Sequence, residues 1–310
     1  MVHRSLGGIA AVLLLLASCG ETAPPQAGPT GSPSPSAAFP VTIDGVTIPR
    51  QPERVVSLSP TATEMLFAIG AGDQVEAVDD QSNYPADAPM TDLSGFEPNV
   101  EAIASFEPDL VVYSTEPGDL GAALAGLGIP ALVQPAATTL DDVYAQIDDL
   151  GVATGNVSKA KDVVERMRSE IESIAGSIEP PSEPVTYYHE LDDTYYSVTS
   201  STFIGQLYSL VGLRNIADEA KGAGGGYPQL SAEYILDADP DLIFLADTKC
   251  CGQSARTVAK RPGWDRIAAV ENGGVIPLDD DVASRWGPRV VEYLRQIATA
   301  VSRVMEAQAA

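Results

Sequence analysis

The stretch NVEAIASFEPDLVVY, residues 99–113, has a counterpart in LSAEYILDADPDLIFL, residues 230–245. In both, a capping residue precedes a short apolar helix with an early glutamate, and an acidic-Pro-Asp step then leads into strand-forming residues. A helical pattern precedes each copy, SPTATEMLFAIGAG in the first and SSTFIGQLYSLVGL in the second. Strands and helices that alternate at this spacing indicate βαβ units. The sequence therefore predicts an α/β fold of two Rossmann-like lobes with central, mostly parallel sheets.

A single long helix is predicted between the two copies, over residues 156–179. Its apolar positions recur at three-four spacing and form one stripe: Val157, Ala160, Val164, Met167, Ile171, Ile174 and Ile178. Two uses of such a stripe are open, a dimeric coiled coil or a bridge within the chain. We favour the bridge, because three heptads alone make a marginal coiled coil and a helix of this length spans about 30 Å.

The N-terminus has the pattern of an export signal, with basic residues followed by a short apolar run. We predict a signal peptide over residues 1–18. Leu16-Ala17-Ser18-Cys19 resembles a bacterial lipobox, which implies a lipid on Cys19; the alternative is an ordinary signal peptide with an incidental cysteine. Residues 19–40 are rich in Pro, Ser and Gly and are predicted to form a flexible tether. The remaining boundaries follow from the elements: an N-terminal lobe over 41–155, the helix over 156–179, and a C-terminal lobe over 180–310.

Composition narrows the class of partner. The chain has 310 residues, of which 45% are hydrophobic and 20% charged, as in a folded globular protein. A net charge of −25 argues against nucleic acid and anionic lipid head groups, and favours a basic docking partner. Besides Cys19 there are only Cys250 and Cys251, whose adjacency excludes a disulfide framework and does not match zinc-site spacing. A vicinal disulfide and two free thiols both remain open.

The motifs together resemble a known family. In order they are RVVSLSPTATEMLFAIGAGDQVEAV, NYP, NVEAIASFEPDLVV, one long helix, SVTSSTFIGQLYSLVGLRNIAD, LSAEYILDADPDLIFL and RPGWDRIAAVENGGVIPLD. This series resembles the substrate-binding proteins of ABC transporters for cobalamin, ferric siderophores and haem, and lies closest to the cobalamin branch. The resemblance implies a ligand held between the lobes and delivered to a permease dimer, with no cofactor beyond that ligand. It also implies a monomer exported and lipid-anchored to the outer face of the bacterial cytoplasmic membrane.

Ligand-binding candidates follow strands, where open α/β sheets bind their ligands. A cleft for a large flat ligand should present aromatic rings and a few polar groups. The candidates are Ser59, Tyr84, Phe96, Tyr113, Tyr227, Arg285 and Trp286. In the cobalamin branch, aromatic residues occupy the positions that resemble Tyr84, Phe96 and Tyr227. The alternative for each ring is core or loop packing, and for Arg285 an ion pair with the Asp279–Asp281 run.

The repeated glutamates, Glu101 and Glu233, have two explanations. With Asn99 and Ser231 as N-caps, each falls in the first helical turn, where a carboxylate interacts favourably with the helix dipole. The family resemblance implies a second role, because one such glutamate on each lobe pairs with arginines of the permease. We predict that both glutamates dock the permease.

Catalysis and metal binding are not predicted. His189 stands in YYHEL without the second histidine of H-E-x-x-H, and G-x-S-x-G is absent. Three consecutive carboxylates, Asp279–Asp281, point in different directions and normally form a solvated turn. A thiolate of Cys250 or Cys251, or the His189 imidazole, could ligate cobalt or haem iron. An exported hydrolase is kept as the alternative from another class.

Overall fold

The computed structural model describes residues 38–178 and 183–309. This part of the chain opens with an antiparallel hairpin of β1 (Val41–Ile43) and β2 (Val46–Ile48). Asp44 and Gly45 join the strands with positive φ angles of 50° and 83°, as a tight type I′ turn requires. The predicted signal peptide, the lipidation site Cys19 and all but the last residues of the tether lie outside the described residues.

The first sheet is parallel and has five strands. They are β3 (Val55–Leu58), β4 (Val75–Asp79), β5 (Met90–Leu93), β6 (Leu110–Tyr113) and β7 (Ala131–Val133). Their order is β5-β4-β3-β6-β7, and every neighbouring pair is parallel. Every residue of the two central strands β3 and β6 is buried, as in a sheet with helices on both faces.

Four helices accompany this sheet. They are α1 (Pro60–Ala68), α2 (Val100–Ala104), α3 (Leu120–Gly126) and α4 (Leu140–Thr154). Ser59 caps α1 by accepting a hydrogen bond from the Ala62 amide, and proline at the first helical position fits the capped start. Sequence analysis missed α4, although Thr139 and Asp142 form a capping box at its start.

The long helix is α5 (Val157–Gly176). Its buried residues are Ala160, Val163, Val164, Met167 and Ile171, which repeat much of the predicted apolar stripe. The stripe is covered within the chain, because α5 packs against α4 and against the C-terminal helix α11 (Val290–Ala309). This packing corresponds to the bridge within the chain that we favoured.

The second sheet is also parallel and has four strands, β8 (Thr186–Glu190), β9 (Arg214–Asn215), β10 (Leu242–Leu245) and β11 (Val275–Pro277). Their order is β11-β10-β8-β9. Short helices connect them: α6 (Phe203–Ser209), α7 (Ala232–Ala238), α8 (Ala255–Val258), α9 (Ala268–Glu271) and α10 (Asp280–Ser284). The predicted class, two parallel α/β sheets with one long helix between them in the chain, is confirmed; the domain boundaries stay predictions.

Three local predictions were wrong. The stretch QSNYPADAPMTDLSGFEP, residues 81–98, has the Pro, Asp and Ser content that predicts a loop, but it contains the edge strand β5, which is short and mostly exposed. The stretch TYYSV, residues 194–198, has the aromatic and β-branched composition that predicts a strand, but it forms only one isolated bridge, between Tyr196 and Gln229. The predicted turn at Asp279–Asp281 instead starts α10, because Asp279 accepts hydrogen bonds from the Asp281 and Val282 amides as an N-cap.

One hydrophobic core includes residues of both sheets. It contains Val112 of β6, Met167 of α5, Leu242 of β10 and Leu294 of α11. Two smaller clusters cover the other faces of the two sheets. Within residues 38–178 and 183–309, no helix combines the length and the apolar character needed to cross a membrane.

Candidate ligand-binding site

A cavity of about 430 Å³ lies at the carboxyl ends of the strands of the first sheet, closed on one side by α10 and the loop that follows it. Open α/β sheets bind ligands at this edge. Most of its walls come from residues that directly follow strands. The lining residues are Leu58, Ser59, Pro60, Thr61, Asp79, Gln81, Gly95, Phe96, Ser114, Thr115, Ala136, Asp281, Ser284, Arg285 and Trp286.

Four of the predicted ligand-binding residues line this cavity: Ser59, Phe96, Arg285 and Trp286. Phe96 is 74% exposed and thus available to a ligand. Trp286 is half-buried, and its indole Nε1 donates a hydrogen bond to Gln146 Oε1 at 2.9 Å. That bond fixes the indole plane beside the cavity, so the ring can offer a preset stacking surface.

The other three predicted aromatics lie away from the cavity lining. Tyr84 is 44% exposed, and the Arg289 guanidinium carbon stands 4.2 Å from its ring centre. Tyr113 is buried, and its hydroxyl donates to Glu116 Oε2 at 2.6 Å; burial and this carboxylate raise the pKa of Tyr113. Tyr227 is exposed next to Gly226, whose φ is +82°. Tyr84 and Tyr227 remain free to meet a ligand that extends beyond the cavity.

Arg285 is held by a buried ion-pair network. Its guanidinium donates to Glu64 Oε1 at 2.9 Å, to Asp281 Oδ1 at 3.0 Å and to the Gln81 carbonyl at 3.0 Å. The side chain is only 8% exposed. Arg289 donates to the same Glu64 carboxylate, with Nε 2.9 Å from Oε2. Glu64 of α1 therefore ties the loop between α10 and α11 to the first sheet.

Asp281, in the first turn of α10, which follows β11 of the second sheet, also belongs to this network. It accepts hydrogen bonds from Arg285, from Asn83 at 3.1 Å and from Lys249 Nζ at 2.7 Å. Burial opposes ionisation of this carboxyl, but the Lys249 and Asn83 hydrogen bonds outweigh it and lower the pKa of Asp281. The ion pair foreseen for Arg285 thus exists, with Glu64 as a further partner.

A second buried carboxyl, Asp79, ends β4 at the cavity wall. Its Oδ1 accepts a hydrogen bond from Ser82 Oγ at 2.5 Å, and Ser82 bonds in turn to Thr63 Oγ1 at 2.9 Å. Burial raises the pKa of Asp79, an effect that the Ser82 hydrogen bond opposes.

Sequence analysis missed Glu64, Asp79 and Gln146. The available signal was a polar or ionisable residue in an apolar segment: Glu64 stands in SPTATEMLFAIG and Asp79 directly follows the strand VEAV. Such residues are costly to bury unless they are paired or functional. Gln146 lies in the helix that was missed, so its role could not be anticipated.

Cys250 and Cys251 are exposed, free thiols rather than a vicinal disulfide. The Cys250 amide donates to Asp280 Oδ2 at 3.0 Å, which fixes this loop to α10. A hydrogen bond with the Cys251 thiol, assisted by burial, raises the pKa of Cys250 to about 12. The raised pKa makes the Cys250 thiolate harder to form, which disfavours it as a ligand of cobalt or iron.

His189 is enclosed in the core. Its Nδ1 is 2.8 Å from the Tyr208 hydroxyl, and burial lowers the pKa of His189 to about 3. The imidazole is neutral and fully buried, so a metal-bearing ligand in the cavity does not reach it. The role of His189 is in the packing of the second sheet.

Glu101 and Glu233 occupy matching, exposed positions. Asn99 Oδ1 accepts from the Glu101 amide at 2.9 Å, and Ser231 Oγ accepts from the Tyr234 amide at 3.2 Å. Each carboxylate therefore sits in the first turn of a capped short helix, α2 or α7. This geometry satisfies the helix-dipole explanation and leaves both carboxylates open to a cationic partner.

Comparison with known proteins gives consistent matches. The family model described as periplasmic binding protein matches residues 55–282. An uncharacterized ABC transporter substrate-binding lipoprotein of Bacillus subtilis is 31% identical, over 96% of this chain and 98% of its own. The cobalamin-binding protein of Halobacterium salinarum is 29% identical, over 94% of this chain and 82% of its own.

Solved structures extend the likeness in fold. The periplasmic haem-binding protein of Vibrio cholerae superposes with a TM-score of 0.71 and 22% identity, over 80% of this chain and 98% of its own. At that identity the match speaks for the architecture alone. The architecture is thus shared by proteins named for different ligands.

Proposed function

This chain belongs to the periplasmic binding protein family, and on that premise we propose that it captures cobalamin in the cavity between its two sheets and delivers it to the permease of an ABC importer. The resemblance seen in the sequence motifs is confirmed by the family match over residues 55–282. Proteins of this family are transport components and not enzymes, so the exported hydrolase is set aside. What the protein carries is a transported ligand and not a cofactor.

The cavity at the carboxyl ends of the first sheet is the observation that carries this proposal. Phe96 offers an exposed ring, and the Trp286 indole is fixed by Gln146. Between them, polar groups of Ser59, Ser114 and Thr115 line the wall. A cavity whose exposed surface is mainly apolar, with two aromatic rings and polar groups at its wall, suits a large flat ligand. The volume of about 430 Å³ accommodates part of such a ligand and leaves the rest at the exposed mouth.

The preference for cobalamin over haem or a ferric siderophore rests on the relative from Halobacterium salinarum, whose name states cobalamin binding and whose match spans 94% of this chain. Two of the three residues first considered as metal ligands, Cys250 and His189, also argue against coordination of iron. The raised pKa of Cys250 disfavours its thiolate, and His189 is fully buried. Haem and ferric siderophores remain the second candidates.

Docking to the permease is proposed for Glu101 and Glu233. Both carboxylates are exposed at the starts of equivalent helices, one associated with each sheet. An exposed pair of this kind affects orientation and association rate more than stability. A basic surface on the permease would complement it, as well as the net charge of −25.

Export and anchoring are also part of the proposal. The lipobox-like Leu16-Ala17-Ser18-Cys19 supports lipidation of Cys19 and attachment to the outer face of the cytoplasmic membrane. The relative from Bacillus subtilis, named a lipoprotein and matched over 96% of this chain, supports the same reading. Mass spectrometry of the protein from its native membrane tests it, since a lipidated Cys19 would form the new N-terminus.

A calorimetric titration of the full-length protein tests the ligand. Cyanocobalamin is expected to bind one-to-one with submicromolar affinity (about −8 kcal/mol or stronger), and haemin and a panel of ferric siderophores to bind far more weakly. Trp286→Ala should weaken cobalamin binding, and Trp264→Phe, which alters a tryptophan buried in the second sheet's core, should not. Tighter binding of haemin or a siderophore than of cobalamin would reassign the ligand within the same transporter class.

A further inference from the structure

The carboxylate of Asp79 lies at the cavity wall and takes no part in the ion-pair network of Glu64, Arg285 and Asp281. The residue is 1% exposed and ends β4 at the cavity. Its Oδ1 accepts the Ser82 hydroxyl, which a chain of hydrogen bonds through Thr63 anchors to Ser57. The carboxylate is thereby locked in one orientation.

The second oxygen, Asp79 Oδ2, faces Gly95. Among the described residues, the side-chain hydrogen bond that Asp79 accepts is at Oδ1, and no donor lies within hydrogen-bond distance of Oδ2. Gly95 also lines the cavity, and a Cβ built on it would stand 2.9 Å from Oδ2 and 2.5 Å from the Leu58 carbonyl oxygen. Because residue 95 is glycine, Asp79 Oδ2 stays uncovered; any side chain there would crowd it. The Leu58 carbonyl oxygen is a second acceptor near the same point.

In the described part of the chain, Asp79 also forms no ion pair of its own, although the charge of Arg285 lowers its pKa against the larger, opposite effect of burial. Arg285 is committed to Glu64 and Asp281, and Lys249 is committed to Asp281 and its neighbour Asp279. Among residues 38–178 and 183–309, no cation forms an ion pair with Asp79. An acceptor oxygen of a cavity-lining residue that has no protein donor is available to a donor of the ligand.

We propose that Asp79 determines the ligand class of this cavity. Its Oδ2 accepts hydrogen bonds from uncharged N–H donors such as side-chain primary amides, and its negative charge disfavours ligands that place a carboxylate there. A corrinoid carries a periphery of primary amides, whereas haem carries carboxylates. The inference rests on the proposed function and deepens it, because it gives a physical reason why the protein would bind amide-bearing corrinoids more tightly than haem.

The test compares the full-length protein with Asp79→Asn. Asparagine has the same shape and can still accept the Ser82 hydrogen bond, but it has no charge. Asp80→Asn is the matched control, because Asp80 is adjacent in sequence, exposed, and outside the cavity lining. The probes are cyanocobalamin, its derivatives with one side-chain amide hydrolysed to a carboxylate, and haemin, each titrated calorimetrically at neutral pH.

The unaltered protein should bind at least one monocarboxylate derivative about 10-fold more weakly than cyanocobalamin, since like charges at a binding site are strongly unfavourable. Asp79→Asn should reduce that ratio to about 2-fold or less, and Asp80→Asn should leave it unchanged. If the unaltered protein binds cyanocobalamin and every derivative equally, or if Asp79→Asn preserves the ratio, the role of Asp79 is overturned and the proposed function stands.

The haemin titration separates the two proposals. If no corrinoid binds, the proposed ligand fails, and haemin alone decides the inference. Binding of haemin about 10-fold more tightly by Asp79→Asn than by the unaltered protein supports the inference, and equal binding or none by both overturns it. Circular dichroism verifies folding; should Asp79→Asn not fold, Asp79→Ser is titrated in its place under the same criteria.

Discussion

At the scale of single residues, Glu64 is the group with the largest structural consequence. Its side chain is 1% exposed and accepts hydrogen bonds from both Arg285 and Arg289. Removing one member of a buried ion pair leaves the remaining charges without compensation. Glu64→Gln should therefore lower the free energy of unfolding by about 3 kcal/mol and loosen the loop that carries Trp286.

Urea unfolding measures this change, and Glu107→Gln is its control. Glu107 forms an ion pair with Arg54 but is 74% exposed, so its loss should cost less than about 0.5 kcal/mol. Equal destabilisation by the two substitutions would mean that the buried network adds nothing beyond a surface ion pair.

Asp247 gives a pH prediction. Burial, followed by the neighbouring Glu190 carboxylate, raises the pKa of Asp247 from 3.8 to about 7. Between these values the unfolded chain has ionised Asp247 while the folded protein keeps it protonated, so this residue costs stability as the pH rises. Asp247→Asn removes the cost, and its stability advantage over the unaltered protein should grow from pH 4 to pH 7 and then level off.

The measurement is urea unfolding of both proteins across that pH range, with an advantage of at least about 1 kcal/mol expected at pH 8. Asp193→Asn, at an exposed position of the second half, is the control and should show no pH-dependent advantage. A constant difference at all pH values would show that Asp247 ionises normally in the folded protein.

At the scale of secondary-structure elements, the close approach of α4 and α5 depends on Gly151. A Cβ at this position would lie 2.4 Å from the Ala160 Cβ. Gly151→Ala should therefore destabilise the protein by about 1–3 kcal/mol through overpacking, although alanine is the better helix former.

Gly126, at the end of α3, is the matched position. A Cβ there would have no atom within 4 Å, and its φ is not positive. Gly126→Ala should be neutral or stabilise by about 0.4–1 kcal/mol. Thermal unfolding of the two variants distinguishes packing from helix propensity; stabilisation of both would argue that helix propensity dominates.

At the scale of the whole molecule, the two matched glutamates predict how the protein meets its permease. The double substitution Glu101→Ala and Glu233→Ala should abolish most cobalamin uptake by cells that depend on this protein, while ligand binding stays unchanged. Loss of favourable helix-dipole interactions should cost only about 0.3–1 kcal/mol per site. Uptake of labelled cobalamin and calorimetry on the purified variant measure the two effects separately.

The control is the double substitution Glu165→Ala and Glu172→Ala on α5. Both glutamates are exposed, so this variant loses the same amount of negative charge at another place and should keep normal uptake. Normal uptake by the Glu101/Glu233 variant would limit the role of these residues to the favourable interaction with the helix dipole. Reduced uptake by both double variants would indicate that overall negative charge, not a pair of docking points, attracts the permease.

The sequence by itself determined the elements and their class. Short buried strands, N-caps such as Ser59 and Asn99, and the three-four stripe of α5 are local patterns, because hydrophobic periodicity and capping depend on near neighbours in the chain. Where the local pattern is weak, the prediction from sequence failed. The strand β5 is a short edge strand with little apolar pattern, and the polar residues at Asp279 start a helix instead of forming a turn.

Only the tertiary structure decided which of these residues meet. Glu64 and Arg285 are 221 positions apart, Trp286 and Gln146 are 140 apart, and each contact holds one residue that lines the cavity. No local pattern specifies such pairs, since they form when β-sheets, α1, α4 and the last loop pack together. Likewise Tyr113 and Phe96 looked equivalent as rings near strand ends, but one is buried and the other 74% exposed. Burial is set by the neighbours that folding brings up, and so it is decided by the assembled fold.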